Sequence, residues 1–212
     1  NFTGEAFMKV MSLHLGHNAT VALAEGGDIL GVLSQEKCDN IKNSSIFPKD
    51  AIEYLCTEVG WQIGDIQKVL IASNDVFPPQ AYEYLYDSKN RIKNSSALLG
   101  FVKNIRDGRL GRLFPYPFKL LRKVRVKNLI SEGKTLLGKE LAALKLGDVP
   151  VEHVEHHLCH ARAALHSFTG SQLKEPSLIF TLDGSGDGLC ATVTKADTDG
   201  TWTRSAQTTA NA

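Results

Sequence analysis

The stretch SLIFTLDGSGDGLCATVTKADTDGTWTRSAQ (residues 177–207) repeats the plan of VMSLHLGHNATVALAEGGDILGVLSQE (residues 10–36), and this repetition decides the fold. Each copy reads as an apolar strand, a glycine-containing loop with polar side chains, a second strand, a tight turn and a third strand. In the first copy Glu25-Gly-Gly-Asp28 is a hairpin signal, because glycine supplies the positive φ that primed turns demand. Pro48 then opens a helical pattern in which Ile52, Leu55, Cys56 and Val59 recur on one face, and KVLIASN (68–74) reads as a buried strand. A β-β-β-α-β order is therefore expected once in full and once in part. By that template the second copy stops a helix and at least one strand short.

The residues between the copies differ in character. From Lys89 to Lys145 there are 15 Lys or Arg against three acids, so this segment carries +12 within a chain whose net charge is +1. Such a segment could track nucleic-acid phosphates. Leu98, Leu99, Phe101, Val102, Leu110, Leu113, Leu120, Leu121 and Val124 interleave with the charges, which favours an amphipathic helical insert with a solvated basic face. Breaks are expected at Gly100, Gly108, Gly111 and Pro115-Tyr-Pro117. Val149 to Val154 reads as a strand and Glu155 to Phe168 as a helix. The expected organisation is a first lobe over 8–77 and 147–175, a basic helical insert over 78–146, and the start of a second lobe over 176–212.

At 212 residues, 42% hydrophobic and 22% charged, the chain can bury a sizeable core. No apolar run reaches the roughly 18–20 residues of a membrane helix, and the start lacks a secretory pattern, so a cytoplasmic protein that does not engage membranes is expected. Cys38, Cys56, Cys159 and Cys190 form no CxxC pair, and reduced thiols are the reading.

Three stretches carry chemistry. His153-Val-Glu-His156-His157-Leu-Cys-His160 places four of seven histidines in eight residues. On a helix His156 and His160 stack at i and i+4, able to converge on one metal ion, while His157 points elsewhere. Capping and surface histidines are the plainer alternative. Asp183-Gly184-Ser185-Gly186-Asp187-Gly188, at the end of a strand, has glycines that let backbone N–H groups cradle phosphate, with Asp183 placed to hold a cation. A glycine-rich hairpin whose aspartates satisfy turn amides is the alternative there. Gly16-His17-Asn18-Ala19-Thr20 is the equivalent loop of the first copy, and its symmetry with the Asp183 loop is its better argument. Gly16, His17, Asn18, Gly184, Ser185, Gly186 and Asp187 are thus the candidate nucleotide-binding residues. No catalytic residue is assigned.

The duplicated plan with a phosphate-holding loop after the first strand of each half resembles the ribonuclease-H-like fold of the actin-like ATPase and sugar-kinase superfamily. HNATVALAEGGDILGVLSQE, Ile46-Phe-Pro48, VEHHLCHARAALHSF and TLDGSGDGLCATV together resemble successive motifs of the N-terminal domain of nodulation-protein-U-type carbamoyltransferases, over about Met8 to Gln207. The resemblance implies a two-stage reaction. Carbamoyl phosphate and ATP give carbamoyladenylate, whose carbamoyl group passes to a hydroxyl of a small molecule. It implies His156, His160 and Asp183 as metal ligands, with Fe(II) the ion and a further carboxylate beyond residue 212. It also implies a separate, more C-terminal adenylate-forming domain, without which this chain alone is expected to be inactive. A homodimer that covers the open edge of the second copy is compatible with this. The family pattern, close to H-D in the first loop and E-E-R-F-T-R-x-K-H after the third strand, is departed from at Asn18, Lys37, Asn40 and Asn43. Arg and Lys are not equivalent at a bidentate site, so substrate is expected to be held differently here. A metal-dependent relative acting in tRNA threonylcarbamoyl transfer and a non-enzymatic nucleotide-binding scaffold are the competing readings. The Asp183 loop argues against the first.

Overall fold

The computed structural model describes residues 7–81, 115–169 and 173–209, with backbone alone for 115–123, 168 and 169. Two sheets organise them. The first has the order β3-β2-β1-β4-β5, built from β1 (Lys9–His14), β2 (Thr20–Glu25), β3 (Asp28–Ser34), β4 (Lys68–Ile71) and β5 (Val151–His153). β1–β2 and β2–β3 are antiparallel, whereas β1–β4 and β4–β5 are parallel. This mixed order is that of a ribonuclease-H-like lobe, as expected from the sequence. The second sheet, β6 (Ser177–Gly186), β7 (Leu189–Ala196) and β8 (Trp202–Thr209), is the antiparallel meander of the second copy.

Period-two alternation sets the first sheet's register. Met11 pairs with Leu23 and Val69, and Leu13 with Val21 and Ile71, and all six side chains are fully buried on one face. Each contributes on the order of 1.5–3 kcal/mol of apolar burial. The covering layer is α2 (Lys49–Val59) through Ala51, Ile52, Leu55 and Cys56, joined by Leu137 and Leu141 of α3 (Pro115–Ala143) and by Leu144 just after it. A Cβ at Gly31 would lie 2.7 Å from Leu55 Cδ1, so the missing side chain in β3 lets α2 settle on the sheet. The β2–β3 hairpin turns on Gly26 and Gly27, both at positive φ (60° and 95°), the primed turn that the two glycines predict. The short α1 (Glu36–Asp39) intervenes between β3 and α2.

Pro115-Tyr-Pro117, read as a break, begins α3, where proline at the first turn loses no helical hydrogen bond. One expectation is corrected. β6 does not end at Asp183: the strand continues to Gly186, with irregular pairing between Leu182 and Gly186, and the turn into β7 is the dipeptide Asp187–Gly188 at φ 50° and 77°. The glycine-rich stretch is thus mostly strand end plus a two-residue hairpin. Val124, read as part of an apolar helix face, is 48% exposed, and the described side chains from Val124 to Asn128 all face solvent. The other apolar residues of that reading, from Leu98 to Leu121, lie outside the described side chains, as do the breaks at Gly100, Gly108 and Gly111. Among the described residues no helix is long and apolar enough to cross a membrane, and all four cysteines are unpaired.

Two glycines of α3 have opposite roles. A Cβ at Gly133 would stand 2.2 Å from the Val76 carbonyl oxygen, so backbone abuts helix there, whereas Gly138 has open space around it. Gly133→Ala is expected to destabilise by about 1–3 kcal/mol net of its better helix propensity, from overpacking against rigid backbone. Gly138→Ala should instead stabilise by about 0.5–1 kcal/mol. Urea midpoints of the two variants check both signs.

Candidate metal centre

The helix α4 (His156–Thr169) starts where the two sheets meet, and its first amide N–H groups have no helical acceptors. Two carboxylates supply them. Asp187 Oδ2 accepts from His156 N at 2.8 Å, and Glu155 accepts from His157 N and Leu158 N at 2.9 Å each. Glu155 is itself gripped by Arg204 of β8 at 2.6 Å. Asp187 also takes the Ser73 hydroxyl and the backbone N–H groups of Asn74 and Asp75, the latter two at 2.9 Å. One carboxylate therefore ties together the loop after β4, the β6–β7 turn and the start of α4. Burial opposes ionisation of Asp187, but the donors from Asn74, Ser73, Asp75 and His156 outweigh it, and its carboxyl lies below the ordinary range. Neighbouring Asp75 is pushed up by burial and by the Asp187 charge.

On this anchored helix the i, i+4 pair behaves as its spacing predicts. His156 Nε2 lies 2.8 Å from Asp183 Oδ2 and 3.0 Å from His160 Nε2, and His160 Nε2 is 3.9 Å from the same oxygen. Two ring nitrogens and one carboxylate oxygen, all within 4.8 Å of one another, converge on one point. Three acceptor-bearing atoms in such proximity cannot all be satisfied by the protons two imidazoles share. Metal–ligand bonds of about 2.0–2.2 Å imply ligand separations of about 3 Å, so these donors fit a first-row divalent ion. Burial and then His156 hold His160 below the usual imidazole range, which favours the neutral ligand form. Asp183 is lowered too: burial opposes it, but the Gly184 N–H and His156 prevail. Cys159, one turn into the helix, is pushed up to about 11 by burial and then by Glu155 and Asp187, which keeps its thiol protonated near neutral pH.

His157 is fully buried and turned into the second sheet, away from the convergent donors. His153 Nδ1 contacts the Ser73 carbonyl at 2.8 Å. Gly186 sits beneath His156: a Cβ there would lie 2.0 Å from the ring. Gly184 and Ser185 are exposed. Sequence reasoning singled out the glycines but missed their partner, because the ring that requires Gly186 lies 30 residues away along the chain.

The first-copy loop adjoins this cluster. His14, at the end of β1, has its ring centroid 6.3 Å from that of His156 and 6.3 Å from that of His17. Gly16 is buried, His17 is exposed, and Asn18 takes φ 63° with its Oδ1 buried and without a protein partner. The loop after β3 packs on it through Ala19, whose N–H donates to Ser44 O and whose carbonyl accepts from Gln35 N. Asn40 and Asn43 have φ 58° and 59°. Three of the four departures from the carbamoyltransferase pattern are thus asparagines in left-handed backbone, a conformation that asparagine at position 40 enters more readily than arginine would. The fourth, Lys37, is exposed and pairs with Glu36.

A ribonuclease-H-like lobe joined to a second meander, with three potential metal donors converging where they meet, is the class of protein these features define. Residues 9–203 match the family model of the carbamoyltransferase N-terminus, and the chain belongs to that family. It is 25% identical over 171 residues to the nodulation protein NolNO of Sinorhizobium fredii (strain NBRC 101917 / NGR234), a match covering 81% of this chain and 20% of that protein. The chain thus spans about a fifth of the length of this curated relative. Among solved structures, YeaZ from Pseudomonas aeruginosa is similar at a TM-score of 0.44 and 10% identity, covering 95% of this chain and 67% of that one. An uncharacterized protein with similarity to peptidase YEAZ from Pseudomonas aeruginosa gives 0.40 at 11% identity, covering 94% and 64%.

Asp187 offers the sharpest test of how the site is held. Asp187→Asn turns one acceptor oxygen into a donor facing N–H groups, so it is expected to cost about 1–3 kcal/mol. Equilibrium urea unfolding measures it, and a midpoint equal to wild type would show that the four contacts do not hold the sheets together.

Proposed function

We propose that this chain forms the metal-binding, phosphate-facing part of an ATP-dependent carbamoyltransferase. In this reading a carbamoyl group moves from carbamoyl phosphate, through carbamoyladenylate, to a hydroxyl of a small molecule. The observation that carries it is the convergence of His156, His160 and Asp183 from two separate elements in a chain of the carbamoyltransferase N-terminus family. A bound divalent ion, Fe(II) by family resemblance, would supply positive charge to neutralise phosphate oxygens. The chain's own residues supply the frame. His156, His160 and Asp183 would hold the ion, and the exposure of His160 and Asp183 leaves that side open to a ligand oxygen.

Gly16, His17 and Asn18 stand across His14 from the ion site, and we assign them with Gly184 and Ser185 to the nucleotide side of the cleft. Asn18 Oδ1, buried and unpartnered, is the group there with unused hydrogen-bonding capacity. Gly186 and Asp187 belong to the same side, but they act through others: Gly186 gives room to His156, and Asp187 fixes the loop after β4 against α4. In domain terms, residues 8–77 and 147–175 make the first lobe, 78–146 the basic insert and 176–212 the start of the second. Formation of carbamoyladenylate is assigned to none of these residues. The family's two arginines and histidine after the third strand are replaced by Lys37, Asn40 and Asn43, so the recognition of carbamoyl phosphate does not rest on a guanidinium from this loop.

Purification in the presence of Fe(II) or Mn(II) should leave about one ion per chain in the wild type, as a single site with three protein donors predicts. The His156→Ala/His160→Ala double variant should retain almost none. Metal analysis by mass spectrometry decides it, and equal metal content in the two proteins would refute the assignment.

A further inference from the structure

The interface between α4 and the second sheet changes character along its length. Toward the end of the helix it is apolar, with Ala161, Ile179 and Ala196 buried together and Leu165 and Trp202 packed on them. At the metal end it is polar. His157, Thr181, Thr192 and Thr194 are buried there, at 0%, 6%, 2% and 2% exposure. His157 Nδ1 meets Thr181 Oγ1 at 2.7 Å, and Thr181 Oγ1 meets Thr192 Oγ1, its cross-strand partner, at 2.7 Å. His157 Nε2 and Thr194 Oγ1 have no protein partner.

An interface chosen for stability alone would place aliphatic side chains at these positions, because buried polar atoms without partners are costly. Apolar contacts are also non-directional and tolerate small slides, whereas hydrogen bonds of 2.7 Å between stiff groups fix both distance and angle. The position of this polar chain says what it fixes. His157 follows His156 directly and precedes His160 by three residues, and Thr181 is two residues before Asp183 on β6. The chain of hydrogen bonds therefore joins the element that carries two of the convergent donors to the element that carries the third.

We infer that His157, Thr181 and Thr192 form a buried hydrogen-bonded weld that sets the spacing between α4 and β6, making His157 and Thr181 positioning residues for the metal centre. The inference rests on reading His156, His160 and Asp183 as a metal site. Orphaned N–H groups are rarer in protein interiors than acceptors with an unused lone pair, so the weld runs in one direction. His157 Nδ1–H donates to Thr181, whose hydroxyl proton goes on to Thr192, leaving Nε2 as a bare acceptor.

The test is Co(II) titration of the whole 212-residue chain, followed by visible absorption and paired with urea midpoints. Thr181→Val keeps shape and removes the central link, so its Co(II) Kd should weaken by about 10–100-fold, the loss typical of groups that orient metal ligands. Thr181→Ser should stay within about threefold of wild type, because it restores the hydroxyl. Thr194→Val, on the same sheet face but outside the weld, should leave the Kd unchanged, and so should Ile179→Val even where it lowers the urea midpoint. If Thr181→Val does not fold, Thr192→Val, which removes only the outer link, replaces it with a loss in the same direction. Nitrogen-15 chemical shifts of His157 should report a protonated Nδ1 in the wild type. A Thr181→Val Kd equal to that of a metal-binding wild type would overturn the weld alone. Binding by the wild type no tighter than by His156→Ala/His160→Ala would overturn the metal reading, and the weld with it.

Discussion

Everything at the centre of this molecule depends on how the first turn of α4 is capped. A helix that begins between two sheets presents amide N–H groups that must find acceptors in a place water reaches poorly. Asp187 and Glu155 answer for His156, His157 and Leu158, and each carboxylate is also held from elsewhere, Asp187 by the loop after β4 and Glu155 by Arg204 of β8. The caps are therefore the joints of the structure. Negative charge at a helix N-terminus is favourable in itself, so the dipole and the joint reinforce each other. The same arrangement has a functional consequence. With its leading N–H groups occupied by protein carboxylates, this helix is not available as an anion cradle.

How much of this was readable in the sequence follows the distance between partners. The hairpin at Gly26–Gly27, the α2 face of Ile52, Leu55 and Cys56, and the alternation of Met11 and Leu13 are local patterns, and the structure has them where the periodicity puts them. His156 and His160 were legible for the same reason, since four residues along a helix is a local fact. Asp183 was legible from its own glycine-rich stretch at a strand end, and the loop after β1 chiefly through its symmetry with that stretch. The clamp of Asp187 was not legible. Its partners at Ser73, Asn74 and Asp75 lie 114, 113 and 112 residues away, and nothing near Asp187 distinguishes it from an aspartate in an ordinary Asp-Gly turn. Gly186 looked like a phosphate glycine for a similar reason. Its neighbour in space is an imidazole, and a missing Cβ serves a ring as well as it serves an anion.

The loop after β3 shows the other limit of pattern reading. Measured against the carbamoyltransferase motif, Asn40 and Asn43 look like losses of charge. In the structure they are backbone choices: both stand in left-handed conformation, Asn40 closing α1 by donating its N–H to Glu36 O. Asp39 takes Ile41 N and the Ser44 hydroxyl, and Glu36 takes Asn43 N, so the segment is held by its own side chains. Gln35, fully buried, reaches Asp50 and Ala51 N at the start of α2. A loop satisfied internally in this way needs no anion to complete it.

This self-supporting loop bears on the candidate metal centre, because the loop after β3 braces the first-copy loop through Ala19, and the first-copy loop stands beside His156 by way of His14. His14 is held below the usual imidazole range by burial and then by His156, so it adds no fixed positive charge against a cation at the neighbouring donors. Around His156, then, each neighbour is neutral, anionic or occupied: His14 and His160 favour their neutral forms, Asp183 its charged form, and Asp187 is consumed by backbone. A site with two neutral imidazoles and one carboxylate carries a single negative charge against a divalent ion. On the metal reading proposed above, the remaining positive charge would draw an anionic oxygen to the open side, where Asp183 and His160 meet solvent. The cations of the basic segment can add to that attraction only over distances comparable with a Debye length, about 8 Å at physiological ionic strength.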